Sequence, residues 1–460
     1  MSFSLSLNQL REITEASVKS ILDFPGSTLV TGIATDSRAI SHGEVFLALR
    51  GEKFDGHDFV PVAAANGAIA CLVEQPVAEG GGIPQLQVPD SLAAYQQLAH
   101  WWRDRFAIPI IAVTGSVGKT TTKELIAAVL GTQGKVHKTQ ANYNNEIGVP
   151  KTLLDLTADD DFAVIEMAMR ARGEIALLSQ IARPTIAVIT NVGTAHIGRL
   201  GSEQAIAEAK CELLAEMPET SIAILNHDSP RLRSTAESVW QGETITYGLE
   251  GGDIRGEMLD SGTLRIKGLD FPLPLPGRHN ALNYLGALTV AKALGLDWTP
   301  LAAGLSVSLP GGRSRRCQLS DDILLLDETY NAGLESTLAA LRLLTETPGK
   351  RYIAVLGAMK ELGDHSPRLH RQVGETVKKL GIDQLFVLVS DPEAAVIAEG
   401  ASGVPTACAT THEDLLQQLV KTVQPGDRLL FKASNSVQLN RSVEALIAHF
   451  QELSAQKLKS

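Results

Sequence analysis

The chain has 460 residues, 44% of them hydrophobic and 20% charged, and carries a formal net charge of −11. At about 100 to 200 residues per domain, that length predicts two to four domains, of which we read three, and the composition excludes a disordered chain. The acidic balance, without any long basic run, excludes the electrostatic footprint of a nucleic-acid or anionic-membrane binder.

The first residues, MSFSLSLNQLREITEAS, lack a basic-then-apolar signal pattern, and no stretch reaches ~18 uninterrupted apolar residues. A cytoplasmic protein without membrane insertion is therefore expected. Cys71, Cys211, Cys317 and Cys408 are far apart and show no C-x-x-C spacing, so they read as reduced thiols rather than a disulfide or zinc framework.

Residues 1–106 mix short apolar runs, Val45–Arg50 and Ala68–Val73, with turn signals and close on an amphipathic stretch from Leu92 to Phe106. This pattern predicts a small α/β domain. Residues 107–310 begin with the apolar strand Ile110–Val113, a glycine loop and a helix. Further buried-type strands are expected at Phe162–Ile165, Thr185–Thr190 and Ser221–Leu225, which predicts a parallel sheet covered on both faces. From Thr244 to Leu275 short alternating strands predict an antiparallel extension. A linker at Leu309–Gly312 introduces residues 311–460. Strands near Ile323–Asp327, Tyr352–Gly357, Leu385–Ser390 and Arg428–Lys432 there imply a doubly wound, Rossmann-like domain.

The segment Thr114-Gly-Ser-Val-Gly-Lys-Thr120, between strand and helix, supplies what a nucleotide triphosphate needs. Backbone N–H groups can surround a phosphate, the helix N-terminus adds its dipole, Lys119 neutralises charge and the Thr120 hydroxyl can ligate Mg²⁺. Gly115 and Gly118 permit close backbone approach. Val113 stands where the commoner motif has its first glycine. A second magnesium ligand normally ends a neighbouring strand. Glu166 qualifies within the same domain, and the pair Asp327-Glu328 would reach the nucleotide only if the third domain closes over it. His196 follows a strand end, where α/β sites gather. Lys210 lies in a helical pattern.

Five segments occur in order: the loop extended to Glu124, Asn142-Tyr-Asn-Asn-Glu-Ile-Gly-Val-Pro-Lys-Thr-Leu-Leu154, Arg172-Gly-Glu-Ile175, Leu275-Pro-Gly-Arg-His-Asn280 and Leu326-Asp-Glu-Thr-Tyr-Asn-Ala332. Together with Thr35-Asp-Ser-Arg38 and Asp55-Gly-His-Asp-Phe59, they resemble the Mur ligase family of peptidoglycan synthesis over essentially the whole chain. The resemblance implies a three-domain α/β plan: an N-terminal domain for a UDP-sugar, a central P-loop ATPase-type domain and a C-terminal Rossmann-like domain that closes on ATP. It implies an ATP-dependent ligase that joins D-alanyl-D-alanine to UDP-N-acetylmuramoyl-tripeptide through an acyl phosphate, working as a monomer in cell-wall biogenesis and hence in cell shape and division.

Carried over by motif position, Thr114, Gly115, Ser116, Val117, Gly118, Lys119, Thr120 and Thr121 would surround ATP, with Asn280 at adenine, Asp327 at ribose and Arg313 at the phosphates. Arg315 and Arg316 rival Arg313 for that register. Thr120 and Glu166 would hold a first Mg²⁺ and His196 a second. Lys210 matches a lysine that many members carry as a carbamate, N6-carboxylysine, which would make it an anionic oxygen ligand to a metal ion, so the resemblance counts Lys119, Glu166, His196 and Lys210 as catalytic. Asp36, Ser37 and Arg38 match the UDP-contacting turn, and Asn142, Asn144 and Asn145 fall on the substrate side. Two segments depart from the family pattern: Ala358 replaces an Asp and Asn435 an Arg, so no dipeptide contacts transfer there. A ligase adding the third peptide residue usually shows D-N-P-R, which this chain lacks. Folylpolyglutamate synthase shares the loop but not the Asn142–Leu154 segment. Against a P-loop motor or switch stand the absence of an N-K-x-D motif and of the loop's first glycine, and a non-enzymatic nucleotide-binding subunit would require the metal-ligand candidates to be idle.

Overall fold

A computed structural model of the chain describes residues 2–19, 24–78 and 80–457. Three large sheets follow one another along the sequence. In the first, Ser17–Lys19, Gln85–Gln87, Ala70–Val73, Glu44–Leu47 and Gly32–Ala34 lie side by side, all parallel except the pairing of the first two. Helix Ser91–Arg103 carries this unit onto the next. Asp90 caps its start, and the Trp102 indole donates to the Leu156 carbonyl at 3.1 Å.

The second sheet has nine strands, ordered Leu269–Pro272, Thr263–Ile266, Ile254–Met258, Glu243–Gly248, Ile222–Asn226, Ile186–Ile189, Ile110–Thr114, Phe162–Glu166 and Val136–Lys138. Strand Ile110–Thr114 is buried along its whole length, as expected of a parallel strand with helices on both faces. Each large aliphatic buried there is worth about 1.5–3 kcal/mol. Its neighbours are Phe162–Glu166 on one side and Ile186–Ile189 on the other, so the chain reverses its winding direction about it. That is the switch point at which α/β sheets open a crevice beyond their carboxyl ends.

The expected antiparallel extension needs correction. Glu243–Gly248 and Ile254–Met258 are both parallel additions, and only Thr263–Ile266 and Leu269–Pro272 run antiparallel. Ile254–Met258 starts where its predecessor ends and overlaps it at just two pairs, Tyr247 with Ile254 and Gly248 with Arg255, so a short loop suffices in place of a helical crossover. Alternating hydrophobicity reports which face is buried and carries no information about strand direction.

The third sheet orders Arg315–Gln318, Leu324–Asp327, Asp427–Lys432, Arg351–Leu356, Gln384–Leu388 and Thr406–Ala409. The last five are parallel and alternate with helices. The polar edge strand Arg315–Gln318, which the sequence pattern did not reveal, folds back antiparallel. Its hairpin turn places both Asp321 and Asp322 at positive φ, the backbone that a tight two-residue hairpin requires.

Candidate active site

The glycine loop leaves the central strand at Thr114 and enters helix Lys119–Leu130. Gly115 has φ +150° and Gly118 φ +84°. A Cβ on Gly115 would collide with the Thr190 hydroxyl, and one on Gly118 would lie 2.7 Å from Asn283 Oδ1. Both positions therefore demand glycine. The loop is held from beneath: Ser116 N donates to the Asn191 carbonyl at 3.0 Å and Val117 N to Asn191 Oδ1 at 3.1 Å. With those two N–H groups engaged, the donors left to a phosphate are the unpaired ones of the helix's first turn, around Lys119, Thr120 and Thr121. The Lys119 ammonium folds back to the Gly115 carbonyl at 2.8 Å.

Glu166 ends the adjacent strand and is 2% exposed. Its Oε1 accepts from the Thr120 hydroxyl at 3.2 Å and from Asn144 Nδ2 at 2.8 Å. Its Oε2 is buried without a hydrogen-bond donor and faces the fully buried Lys123 ammonium at 3.7 Å. Lys123 is also tied to the Thr139 carbonyl at 2.7 Å and to Glu124 at 3.1 Å. An orphaned carboxylate oxygen beside a hydroxyl fits a hard divalent cation, which binds through one or two protein oxygens and completes its shell with phosphate and water. No cluster of three or more His, Cys, Asp or Glu side chains forms a metal site among the described residues, so phosphate oxygens would have to share in holding the ion.

Asp327 is differently placed. Its Oδ1 accepts from the Thr329 backbone N–H and hydroxyl at 3.1 and 2.6 Å, and its Oδ2 faces Arg315 at 3.5 Å. Of the three neighbouring arginines, Arg313 stacks on the Tyr330 ring with its guanidinium carbon 3.6 Å from the centroid, and its Nε has no partner. Arg315 pairs with Glu444, and Arg316 donates to Thr347 Oγ1 at 3.3 Å. Arg313 is the one whose field reaches the loop. Burial lowers the pKa of Lys119, Glu166 opposes that shift and Arg313 adds to it. Burial likewise lowers Lys432, which Glu328 steadies and Arg313 again depresses. Lys210, on helix Glu203–Ala215 and 1% exposed, is held well below an ordinary lysine by burial and by Lys119. Lys119 thus feels Arg313 from the linker between the two sheets, and Arg313 in turn acts on Lys432. Burial disfavours the charged form of each lysine, so an anion bound beside them would favour it.

Other residues singled out from the sequence are distributed more widely. His196, at φ +66°, turns Nδ1 to Glu361 Oε2 at 2.6 Å, leaving Nε2 as the ring atom a ligand could take. Asn280 is buried and donates to the Pro276 carbonyl at 2.8 Å. Asn145 Oδ1 accepts from Gly148 N at 2.9 Å ahead of helix Gly148–Leu154, while the side chain of Asn142 is exposed. In the first unit, Arg38 grips Asp36 through Nε at 2.9 Å and Nη2 at 2.7 Å, which holds the Asp36 carboxyl down to about 2. Ser37 is 7% exposed beside them. The two departures from the family pattern also have defined surroundings: Ala358 is buried, and Asn435 Nδ2 donates to the Tyr330 carbonyl at 3.1 Å, behind the ring that supports Arg313.

Sequence reading did not single out Lys123, Asn283, Glu335 or Lys432. Asn283 had a usable signal, since it lies three residues beyond Asn280 on one helix and so shares its face. It accepts from Thr122 Oγ1 at 3.2 Å.

A strand–glycine loop–helix with Lys119 and Thr120, a carboxylate at the next strand end and an arginine reaching in from a second α/β sheet define a P-loop protein that handles nucleotide phosphates across two units. Comparison with known proteins places it more narrowly. Three family models match in succession: "Mur ligase family, catalytic domain" at residues 29–102, "Mur ligase middle domain" at 113–291 and "Mur ligase, glutamate ligase domain" at 312–435. The chain belongs to the Mur ligase family. It is 59% identical over 450 residues to the UDP-N-acetylmuramoyl-tripeptide--D-alanyl-D-alanine ligase of Synechocystis sp., covering 97% of this chain and 99% of that one. The Escherichia coli protein of the same name is 36% identical, with 96% and 98% covered. Among solved structures, MurF from Acinetobacter baumannii superposes with a TM-score of 0.88 at 31% identity, covering 97% of this chain and 99% of that one. The MurF ligase from Thermotoga maritima in complex with ADP gives 0.82 at 32%, with 91% and 98% covered.

Proposed function

We propose that the protein joins D-alanyl-D-alanine to UDP-N-acetylmuramoyl-tripeptide at the expense of ATP, yielding the UDP-N-acetylmuramoyl-pentapeptide precursor of peptidoglycan with ADP and phosphate. The observation that carries this reading is the Lys119–Thr120–Glu166 group faced by Arg313, in a chain similar from end to end to ligases of that name.

A carboxylate is a poor acyl donor. In the reaction proposed, an oxygen of the tripeptide's terminal carboxylate attacks the γ-phosphorus and ADP departs, leaving an acyl phosphate. The free amine of the dipeptide then attacks the acyl carbon, loses a proton, and phosphate leaves from the tetrahedral intermediate. Lys119, Arg313 and the helix N-terminus offset the charge on the phosphoryl oxygens. Mg²⁺, two ions in all, would supply Lewis acidity when bound. Thr120 and Glu166 would hold the first and His196, through Nε2, would contribute to the second. Lys210, whose ammonium form burial and Lys119 disfavour, is suited to react with CO₂, and the resulting carbamate would offer an anionic oxygen to a cation and balance Lys119. Asn280 and Asp327 serve adenine and ribose, Asp36, Ser37 and Arg38 the UDP group, and Asn142, Asn144 and Asn145 the peptide side.

We assign these tasks to units 1–106, 107–310 and 311–460, the last closing on ATP, in a protein that acts as a cytoplasmic monomer where its nucleotide substrates are made. Phosphate release from ATP, measured with the tripeptide nucleotide alone, the dipeptide alone and both together, tests the reading. Release that requires both, with a pentapeptide product by mass, is expected. Steady release with neither, or a product formed from a free amino acid instead of the dipeptide, would overturn it.

A further inference from the structure

The unit of the nine-stranded sheet meets that of the six-stranded sheet beneath the phosphate loop, at a contact none of the motifs predicts. Glu335, in the first turn of helix Leu334–Glu346, accepts from Thr194 N through Oε1 at 2.7 Å and from Thr194 Oγ1 through Oε2 at 3.2 Å. The carboxylate lies flat against Gly193, where a Cβ would come within 2.6 Å of Glu335 Cδ. Gly193 N in turn donates to Ser116 Oγ at 2.9 Å, and Asn191, two residues earlier, holds the backbone of Ser116 and Val117. On its own side, Glu335 follows the segment that carries Tyr330 beneath Arg313 and the Asn331 carbonyl that accepts from Lys432 at 2.9 Å. One carboxylate therefore links the underside of the phosphate loop to the segment that presents Arg313.

We propose that Glu335 is a positioning residue, a clasp that fixes the 191–196 loop to the six-stranded unit so that the phosphate loop and Arg313 address one nucleotide in a single register. It touches neither nucleotide nor peptide and acts through Gly193 and Thr194. Both hydrogen bonds are charge-assisted, the stronger kind. The helix N-terminus favours the negative charge that makes them. The proposal rests on the ligase reading only for its turnover consequence, because nucleotide binding reports the clasp without any reaction.

The test uses four full-length proteins: wild type, Glu335→Ala, Gly193→Ala and the double variant. Each is titrated with Mg·ADP by calorimetry, with thermal melts to verify folding. Gly193 does not have a positive φ, so alanine is tolerated by its backbone and its effect comes from displacing Glu335. Each single variant is expected to weaken ADP binding roughly tenfold through misregistration. The double variant is expected to be no worse than Glu335→Ala alone, because removing the carboxylate removes the collision. Glu335→Gln, which keeps the shape and one acceptor, restores most of the affinity. Turnover falls in kcat while KM for the tripeptide nucleotide stays put. ADP affinity of Glu335→Ala within about twofold of wild type, or losses that multiply in the double variant, would overturn the clasp. A wild-type protein that binds ADP but makes no amide would overturn the ligase reading alone.

Discussion

Asn144 and Glu166, 22 residues apart in sequence, are joined by a 2.8 Å hydrogen bond from amide to carboxylate. The same oxygen receives the Thr120 hydroxyl, so Glu166 is aimed from two sides while its second oxygen stays without a donor. Replacing Glu166 by Gln removes the negative charge and keeps the volume. Phosphate release in the presence of both substrates should fall about 10²- to 10³-fold, the scale on which a lost electrostatic stabiliser acts. Asn144→Ala, which removes only the aim, should cost about tenfold and raise the magnesium concentration needed for half-maximal rate. Fold should survive in both, since Lys123 retains Glu124 and the Thr139 carbonyl. A Glu166→Gln protein with undiminished turnover would remove Glu166 from the site.

The three arginines after the linker give a prediction that depends on geometry alone. Arg313 has an unpartnered Nε and an aromatic support, whereas Arg315 and Arg316 are occupied elsewhere. Arg313→Ala should raise KM for ATP about tenfold or more, and Tyr330→Ala should reproduce part of that loss through the cation–π contact, worth about 0.5–2 kcal/mol. Arg316→Ala should leave KM for ATP within about twofold. Steady-state kinetics on the three variants decides the register, and a larger loss at Arg316 would reverse the assignment.

Gly118 combines φ +84° with the close approach of Asn283 Oδ1. Gly118→Ala should destabilise the protein by about 1–2 kcal/mol for the left-handed backbone alone. It should also weaken ADP binding, because the helix's first turn must shift to clear Asn283. In Gly118→Ala/Asn283→Ala the collision is gone and the backbone strain stays, so ADP affinity should recover in part and the melting temperature should not. Full recovery of both would show that strain at this residue is negligible.

The legible parts of this protein are those encoded by neighbours in sequence. Lys119 and Thr120 follow from one seven-residue spacing, and Glu166 from its place at the end of an apolar run. Strand direction around Ile254 was not legible, because alternation reports burial and a two-pair overlap leaves no trace in composition. Nor was the edge strand Arg315–Gln318, whose polar side chains read as a loop. Glu335 lies 141 residues from Thr194, and no local pattern distinguishes a helix-start carboxylate that caps its own helix from one that grips another unit. Likewise, Arg38 reads as part of a UDP-contacting turn, and its pairing with Asp36 at two points was not legible in the sequence.

Lys210 offers the prediction that separates structure from chemistry. Its ammonium is disfavoured by burial and by Lys119, so the folded chain holds it well below the ~10.4 of an exposed lysine. The unfolded chain then binds more protons than the folded one at every pH between those two values, and stability from this residue must rise with pH across that window. In buffer stripped of CO₂, Lys210→Met should therefore melt at a higher temperature than wild type at pH 7, with the gain shrinking as pH approaches 10.5 and vanishing above it. A variant that melts lower at pH 7 would show that the lysine is stabilised by a partner. The neutral amine is also the form that adds CO₂. Wild type in ¹³C-bicarbonate should accordingly show a carbamate carbon by NMR that is absent from Lys210→Met. Removing CO₂ should slow wild-type turnover, within the about 10- to 100-fold range typical of groups that tune a metal site. Turnover indifferent to bicarbonate, with no carbamate signal, would leave Lys210 as a buried lysine that the fold tolerates at a cost in stability.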